Sequence, residues 1–265
     1  MMKNFENVFS LKNKVAYLTG GLGLIGIQIA KSLSDFGAKT IVLDIHDTKT
    51  AKKIIHKSFK KDSNIFYDRF DISNLSLLDK KMNTLFVKYG DPNIWINNAY
   101  PRTDDWGQKI EKLKLSSWKK NIDMHLNSYS WISRKVCLKM KDIGGGSLIN
   151  FGSIYGLLGN DFSIYEDSKI FPPMEYSAIK GGIINLSKYL SSYFGKYNVR
   201  VNTICPGGIF NEQDDSFVVR YSKKTPLGRL AKPEEIPPAV IFLSSDASSY
   251  VTGSNIIIDG GWTAI

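Results

Sequence analysis

The sequence predicts an α/β domain: a doubly wound, parallel β-sheet of about seven strands with helices on both faces, spanning residues 1–265 as a single domain. Three observations predict it. Short apolar runs alternate with amphipathic stretches along the whole chain, the pattern of a parallel sheet covered on both sides. A glycine-rich turn, TGGLGLIG (19–26), joins the first strand to the first helix. No Pro- or Ser-rich linker, repeat or low-complexity segment interrupts the series, and 265 residues suit one large domain.

KVAYLT (14–19) reads as a buried strand, and LIGIQIAKSLSDFG as an amphipathic helix stopped at Gly37. KTIVLDI (39–45) is a second strand, followed by a Lys-rich helix over 48–61. Strand NIFYDRFDI (64–72), helix LSLLDKKMNTLFVKYG (75–90) and strand NIWINNA (93–99) come next. A loop with Pro101 and Gly107 leads to a long helix over about 116–141, and Gly144–Gly146 turn into strand SLINFGS (147–153). An irregular stretch precedes a helix over 175–194. Strand RVNTICPGG (200–208) follows, then helices near 216–224 and 233–244, and a last strand NIIIDGG (255–261).

Composition narrows the function. Hydrophobic residues make up 43% of the chain, enough for a sizeable core. No run of about 20 apolar residues and no signal-peptide pattern at the N-terminus point to a membrane or export. Cys137 and Cys205 sit in apolar surroundings as buried thiols, which fits a reducing cytoplasm. The net charge of +10 lies mainly in helical segments such as 48–61 and 109–120. Without an aromatic-interleaved basic ribbon, it reads as a solvated surface rather than a nucleic-acid site.

Tyr176 and Lys180 are the most informative pair. Four positions apart on a helix, they share a face. A phenol has an ordinary pKa of about 10, and an ammonium one turn away is expected to lower it. That makes a general acid/base suited to an alcohol oxygen. In the first turn, Gly20, Gly23 and Gly26 let backbone approach a pyrophosphate at a helix N-terminus. Asp44, at the end of IVLD, can accept from adenosine ribose hydroxyls and repel a 2′-phosphate. No Arg or Lys lies within the glycine turn or next to Asp44 in sequence, although His46 is close. NAD is therefore expected, and NADP less so.

With these motifs in order, and with Asp71-Ile72, NNAY (97–100), Ser153, YSAIK (176–180), CPGG (205–208), LGRLAKPEEI (227–236) and VTGSNIIIDGG (251–261), the chain resembles the short-chain dehydrogenase/reductase family, single-domain branch. The resemblance covers about residues 12–263 and implies a Rossmann-like fold. It implies a cofactor set of Gly20, Gly23, Leu24, Ile25, Gly26, Asp44, Ile45, Asp71, Ile72, Asn98, Ala99, Tyr176, Lys180, Pro206, Gly207 and Ile209. Asn97 would steady the central strand. Tyr176 would be the acid/base, Ser153 would polarise the substrate oxygen, and Lys180 would hold the nicotinamide ribose. No metal is implied.

Three departures stand out. His125 replaces the family's usual Asn in the long helix and is expected to serve the relay to Lys180, titrating near neutrality; Asn127 would face another direction. Leu24 stands where the family commonly has Gly. Ser153 and Tyr176 are 23 apart, about twice the usual separation, and the extra segment 156–173 reads as a substrate-shaping flap with Tyr165, Glu166, Asp167, Ser168 and Lys169.

The loops 100–109 and 211–226 are polar, and Arg102, Arg220, Lys223 and Lys224 suit a polyol, phosphorylated or nucleotide-linked, with Trp106 stacking on a sugar face. Tyr100, Arg102, Tyr155, Tyr165 and Gly208 are the candidate substrate residues. NNAYPR, the helical His, SIYG with its insertion and CPGGIF are similar to flagellin-modification oxidoreductases of surface-sugar biosynthesis. The expected activity is NAD-dependent hydride transfer at an alcohol or ketone carbon of a sugar derivative. An NADPH-dependent 3-oxoacyl or general carbonyl reductase is the alternative enzyme, and a dinucleotide-binding regulator the alternative non-enzyme. The resemblance also implies a homo-oligomer, tetramer or dimer, built on the helices near 116–141 and 175–194. Ile183, Leu186 and Leu190 are candidates for that interface or for the core.

Overall fold

The strands carry apolar side chains on both faces, and the two sets separate by parity, as a two-residue repeat requires. In the computed structural model, which describes residues 7–168 and 171–265, Tyr17, Ile41, Leu43, Trp95 and Leu148 face one buried cluster, while Ala16, Leu18, Val42, Ile94, Ile96 and Ile149 face another. The strands are β1 (Val15–Thr19), β2 (Lys39–Asp44), β3 (Ile65–Arg69), β4 (Ile94–Asn97), β5 (Gly146–Phe151), β6 (Val199–Pro206) and β7 (Asn255–Ile258). All pair in parallel, in the order β3-β2-β1-β4-β5-β6-β7. Between β1 and β4 the order reverses direction, which opens a crevice beyond the carboxyl ends of the strands.

The helices are α1 (Leu24–Asp35), α2 (Thr48–Ser58), α3 (Leu75–Tyr89), α4 (Leu115–Asn121), α5 (Ser128–Asp142), α6 (Met174–Phe194), α7 (Asp215–Lys224) and α8 (Pro237–Ser244). α1, α2 and α8 cover one face of the sheet, and α3, α5 and α6 the other. Ile183 and Leu190 are fully packed core residues and Leu186 leans on the same cluster, so their place is the core. Exposed apolar groups on α5 and α6 include Met174, Tyr189 and Tyr193 on α6 and Trp131 and Leu138 on α5. Among the described residues no helix is long and apolar enough to cross a membrane.

Two helices are broken where the sequence predicts continuity, and the strands expected over 64–72 and 255–261 are shorter than predicted. The helix over 116–141 is interrupted by a π-helical turn, Ile122–Asn127, that joins α4 to α5 and contains His125. Hydrophobic periodicity is too coarse to detect one extra residue in a turn, yet such turns re-aim side chains. The stretch before α8 is a separate 3₁₀ turn, Pro233–Glu235, because prolines at 237 and 238 lack the N–H a continuous helix needs. Behind the site, Asn97 is fully buried. It accepts from the Trp95 indole (2.8 Å) and donates to Asn150 (2.8 Å) and Ser133 (3.2 Å), bracing β4 and β5 as expected.

Candidate active site

The glycine turn follows β1 at the crevice. Gly20 adopts φ +64°, and a Cβ there would stand 2.7 Å from Ala99 Cα. A Cβ on Gly26 would fall 2.2 Å from the Gly20 carbonyl oxygen, so α1 can approach the turn only with hydrogen at that position. Gly23 is the N-cap of α1 and has no side chain to bond the first N–H groups of the helix. The family's more usual glycine position is taken by Leu24, which sits at the exposed start of α1 without blocking the crevice. Asn98 fastens the turn from β4, its amide donating to Gly20 O (3.0 Å) and Thr19 O (3.3 Å).

A groove of about 480 Å³ runs along this edge, lined by Gly20, Gly23, Leu24, Ile25, Asp44, Ile45, Asp71, Ile72, Asn98 and Ala99. At its far end the Asp44 carboxylate accepts from the backbone N–H groups of Leu22 (3.0 Å) and Ile45 (2.8 Å), which aims it across the groove. His46 Nε2 lies 3.8 Å away. Asp71 is held by Ser73, whose N–H (2.9 Å) and hydroxyl (2.7 Å) both donate to Oδ1. The sequence shows no Arg or Lys adjacent to Asp44, but the sheet supplies one. Arg69 is its register partner on β3, and its Nε donates to Ile45 O at 3.1 Å. The pairing of β2 with β3 brings together residues 25 positions apart, which local inspection of the chain overlooks.

The groove continues into a larger cavity of about 880 Å³ that contains Ser153, Tyr176 and Lys180 together with Pro206, Gly207, Gly208 and Ile209. Lys180 is buried and donates to Phe151 O at 2.8 Å, and its Nζ lies 5.7 Å from the centre of the Tyr176 ring. α6 sets the Tyr–Lys pair on one face, as the spacing predicts. The electrostatics differ from the expectation. Burial depresses the Lys180 ammonium to about 7. Burial also raises the Tyr176 phenol above its ordinary value, with the Ser153 hydroxyl bond pulling it partly back down. Lys180 is thus not a fixed charge that makes Tyr176 acidic in the free protein, because desolvation dominates both groups.

His125 is fully buried against Tyr129 (5.0 Å between ring centres) and Tyr100 (5.6 Å). Among the described residues neither ring nitrogen has a hydrogen-bond partner. Burial, then the nearby Lys180, push its pKa well below 6.5, so it is a neutral imidazole and not the near-neutral titrating group expected. Asn127 does face elsewhere, donating to Asp123 at 2.9 Å on the exposed side.

The insertion packs over the cavity. Tyr165 donates to the Tyr155 hydroxyl (2.9 Å) and both rings line the wall, with Phe171, Pro172 and Pro173 beside them. Asp161 pairs with Lys224 (2.8 Å), Asp167 with Arg220 (2.9 Å), and Ser168 donates to Asp214 (2.8 Å). These contacts strap the insertion to α7. They also remove Arg220 and Lys224 from the list of free cations, and neither they nor Lys223 line the cavity. Lys169 lies outside the described residues. The polar loops turn much of their charge outward, and the walls are aromatic: Tyr100, Trp106, Tyr155, Tyr165, Phe217 and Tyr221. The polar pocket expected from these loops is thus lined by rings as well as by polar groups. Asn211, Gln213, Thr103 and the tyrosine hydroxyls supply its polar groups.

One residue escapes the sequence reading, and another, Cys205, reads there only as a buried thiol. Tyr221 points into the cavity and its hydroxyl accepts from the Gly208 N–H, holding the CPGG turn. The Cys205 thiol, raised to about 11 by burial, lies under the site near Ser153 and Lys180. Tyr221 lies one helical turn after Phe217, a periodicity that marks an inward face of α7 in retrospect.

The family description "Enoyl-(Acyl carrier protein) reductase" matches residues 23–263 of the chain. This chain belongs to the short-chain dehydrogenase/reductase family. It is 30% identical to post-translational flagellin modification protein A of Campylobacter coli, over 95% of this chain and 99% of that protein. It is 32% identical to the 3-oxoacyl-[acyl-carrier-protein] reductase FabG of Chlamydia muridarum, over 95% and 98%, and to a sorbose reductase of Candida albicans, over 98% and 90%. A short-chain dehydrogenase from Leptospira borgpetersenii, solved with bound NAD+, superposes with a TM-score of 0.85 at 34% identity, covering 99% of this chain and 97% of that one. As a member of this family the chain is an oxidoreductase, and its site joins a glycine-turn groove to a Ser–Tyr–Lys cavity.

Proposed function

We propose that this short-chain dehydrogenase/reductase uses NAD to move a hydride at an alcohol or ketone carbon of a polar, sugar-derived substrate. The observation that carries this reading is the continuity of the Asp44 groove with the cavity holding Ser153, Tyr176 and Lys180. A dinucleotide fits the residues present. Gly20 and Gly23 line the groove without side chains, the close packing of Gly26 on the Gly20 carbonyl holds α1 against the turn, and Asp44 is aimed across the adenosine end. When bound, the nicotinamide supplies or accepts the hydride. The protein does the rest. Tyr176 gives a proton to the substrate oxygen in reduction and takes it back in oxidation, and Ser153 donates to the same oxygen as charge develops there. Lys180 holds the ribose end and keeps its bond to Phe151 O. His125, neutral and with both nitrogens unpartnered by protein, passes or accepts a hydrogen bond behind Lys180.

NAD is favoured over NADP because the Asp44 carboxylate would repel a 2′-phosphate. The Leptospira structure with NAD+ supports this choice. The sugar reading rests on aromatic walls interleaved with hydroxyl and amide groups, and on relatives named for flagellin modification, sorbose reduction and, at 25% identity, a putative gluconate dehydrogenase. The FabG relative and the aromatic walls favour a second reading, a 3-oxoacyl reductase.

Titration of the purified protein with NADH and NADPH, followed by fluorescence, tests the cofactor. Tighter NADH binding is expected, and tighter NADPH binding would overturn the Asp44 argument. Turnover of sugar alcohols or keto-sugars against acetoacetyl thioesters separates the two substrate readings. In either case Tyr176→Phe should cost about 10²–10⁴-fold in kcat and leave NADH affinity intact.

A further inference from the structure

Resting on that cofactor reading, we infer that Arg102 clamps the diphosphate of the bound dinucleotide from the loop side and thereby couples cofactor binding to the substrate wall. The groove and the cavity share Leu24, Ile25, Asn98, Tyr100 and Arg102. Leu24 and Ile25 are the first residues of α1. A dinucleotide with its adenosine end at Asp44 and its nicotinamide end at Tyr176 must carry its diphosphate through that junction. The glycine turn offers only backbone N–H groups there, and neither it nor the first turn of α1 contains a basic side chain. Among the described residues that line both the groove and the cavity, Arg102 is the one arginine or lysine.

Its surroundings suit an incoming anion. Among the described residues no carboxylate lies within 4 Å of the guanidinium, unlike Arg220, which is paired to Asp167. The guanidinium instead stands 5.4 Å from the centre of the Tyr100 ring, an arrangement that orients it without neutralising it. The next residue is firmly anchored. The Thr103 N–H donates to Asn121 Oδ1 (3.0 Å), and the buried Asn121 amide donates to Thr103 Oγ1 (3.0 Å) and to the buried Glu175 carboxylate (3.1 Å). Arg102 therefore projects from a fixed base beside the catalytic helix, and a planar guanidinium forks well onto phosphate oxygens.

The same loop carries Thr103, Asp104 and Trp106, which line the substrate cavity. Closing Arg102 on a diphosphate pins the loop that shapes that wall. Cofactor binding would then favour substrate binding, and substrate binding would favour the cofactor to the same degree.

The test compares wild type with Arg102→Ala and Arg102→Lys by NADH fluorescence titration, with ADP-ribose and AMP as competitors. Loss of a charge-assisted contact predicts about 10–100-fold weaker binding of NADH and ADP-ribose to Arg102→Ala. The AMP change should be smaller because AMP lacks the diphosphate. Arg102→Lys should recover part of the loss, and circular dichroism should show both variants folded. Unchanged NADH affinity in Arg102→Ala, with a raised KM for an anionic substrate, would overturn the clamp and place the guanidinium on the substrate instead. Equal loss for AMP and ADP-ribose would also overturn it. If wild type binds no NADH at all, the cofactor reading itself fails, a separate outcome.

Discussion

Replacing Lys180 by Met should make the protein more resistant to unfolding at low pH and change the way its stability responds to pH. Lys180 is buried, donates to Phe151 O, and is depressed to about 7 from an ordinary 10.5. The unfolded chain restores the ordinary value. Between about pH 7 and 10.5 the unfolded state therefore binds the extra proton, and stability contributed by this site rises with pH. Below pH 7 both states are protonated and the full penalty of the buried ammonium is present. A shift of that size corresponds to roughly 5 kcal/mol at 1.36 kcal/mol per unit, and losing the bond to Phe151 O offsets about 1–2 kcal/mol of the gain. Urea unfolding of wild type and Lys180→Met at fixed pH from 6 to 9 measures the effect. The linkage relation gives a wild-type gain of about 2–3 kcal/mol relative to the variant across that range. A difference that stays flat from pH 6 to 9 would refute the depressed Lys180, and with it the claim that desolvation outweighs the Tyr176–Lys180 interaction in the free protein.

Other variants probe the groove and the flap. Asp44→Ala should shift the NADH-to-NADPH affinity ratio toward NADPH by tenfold or more, since it removes the repelling carboxylate and leaves Arg69 across the strand pair; binding titrations with both cofactors check it. Gly26→Ala should abolish NADH binding and cost about 1–3 kcal/mol of stability, because its Cβ would meet backbone atoms that cannot swing away; fluorescence titration and thermal melting read both. Asp161→Asn with Asp167→Asn should lower global stability by less than about 1 kcal/mol, as expected of exposed pairs. The same double variant should raise substrate KM several-fold by loosening the insertion from α7, without changing NADH affinity.

The alternation of apolar strands and amphipathic helices was enough to determine the seven-strand parallel sheet, because strand burial on two faces and helix burial on one leave different periods in the chain. The glycine turn, Asp44 and the Tyr176–Lys180 spacing were legible for a similar reason: each depends on residues close in sequence, where backbone geometry alone sets the relation. What the chain could not reveal depends on packing between distant segments. Desolvation of Lys180 and His125 arises from the sheet floor and the α4–α5 turn closing around them. Arg69 reaches the Asp44 end only through strand pairing, and Arg220 and Lys224 are used up by carboxylates of an insertion more than 50 residues upstream. The inward turn of the loop aromatics follows from the small cluster of Tyr155, Ile164, Phe217, Tyr221 and Trp262, which buries apolar rings and leaves the loop charges in water. Sequence determined which chemistry is present, and tertiary structure decided which charges remain available to it, because solvation and pairing are properties of the folded neighbourhood.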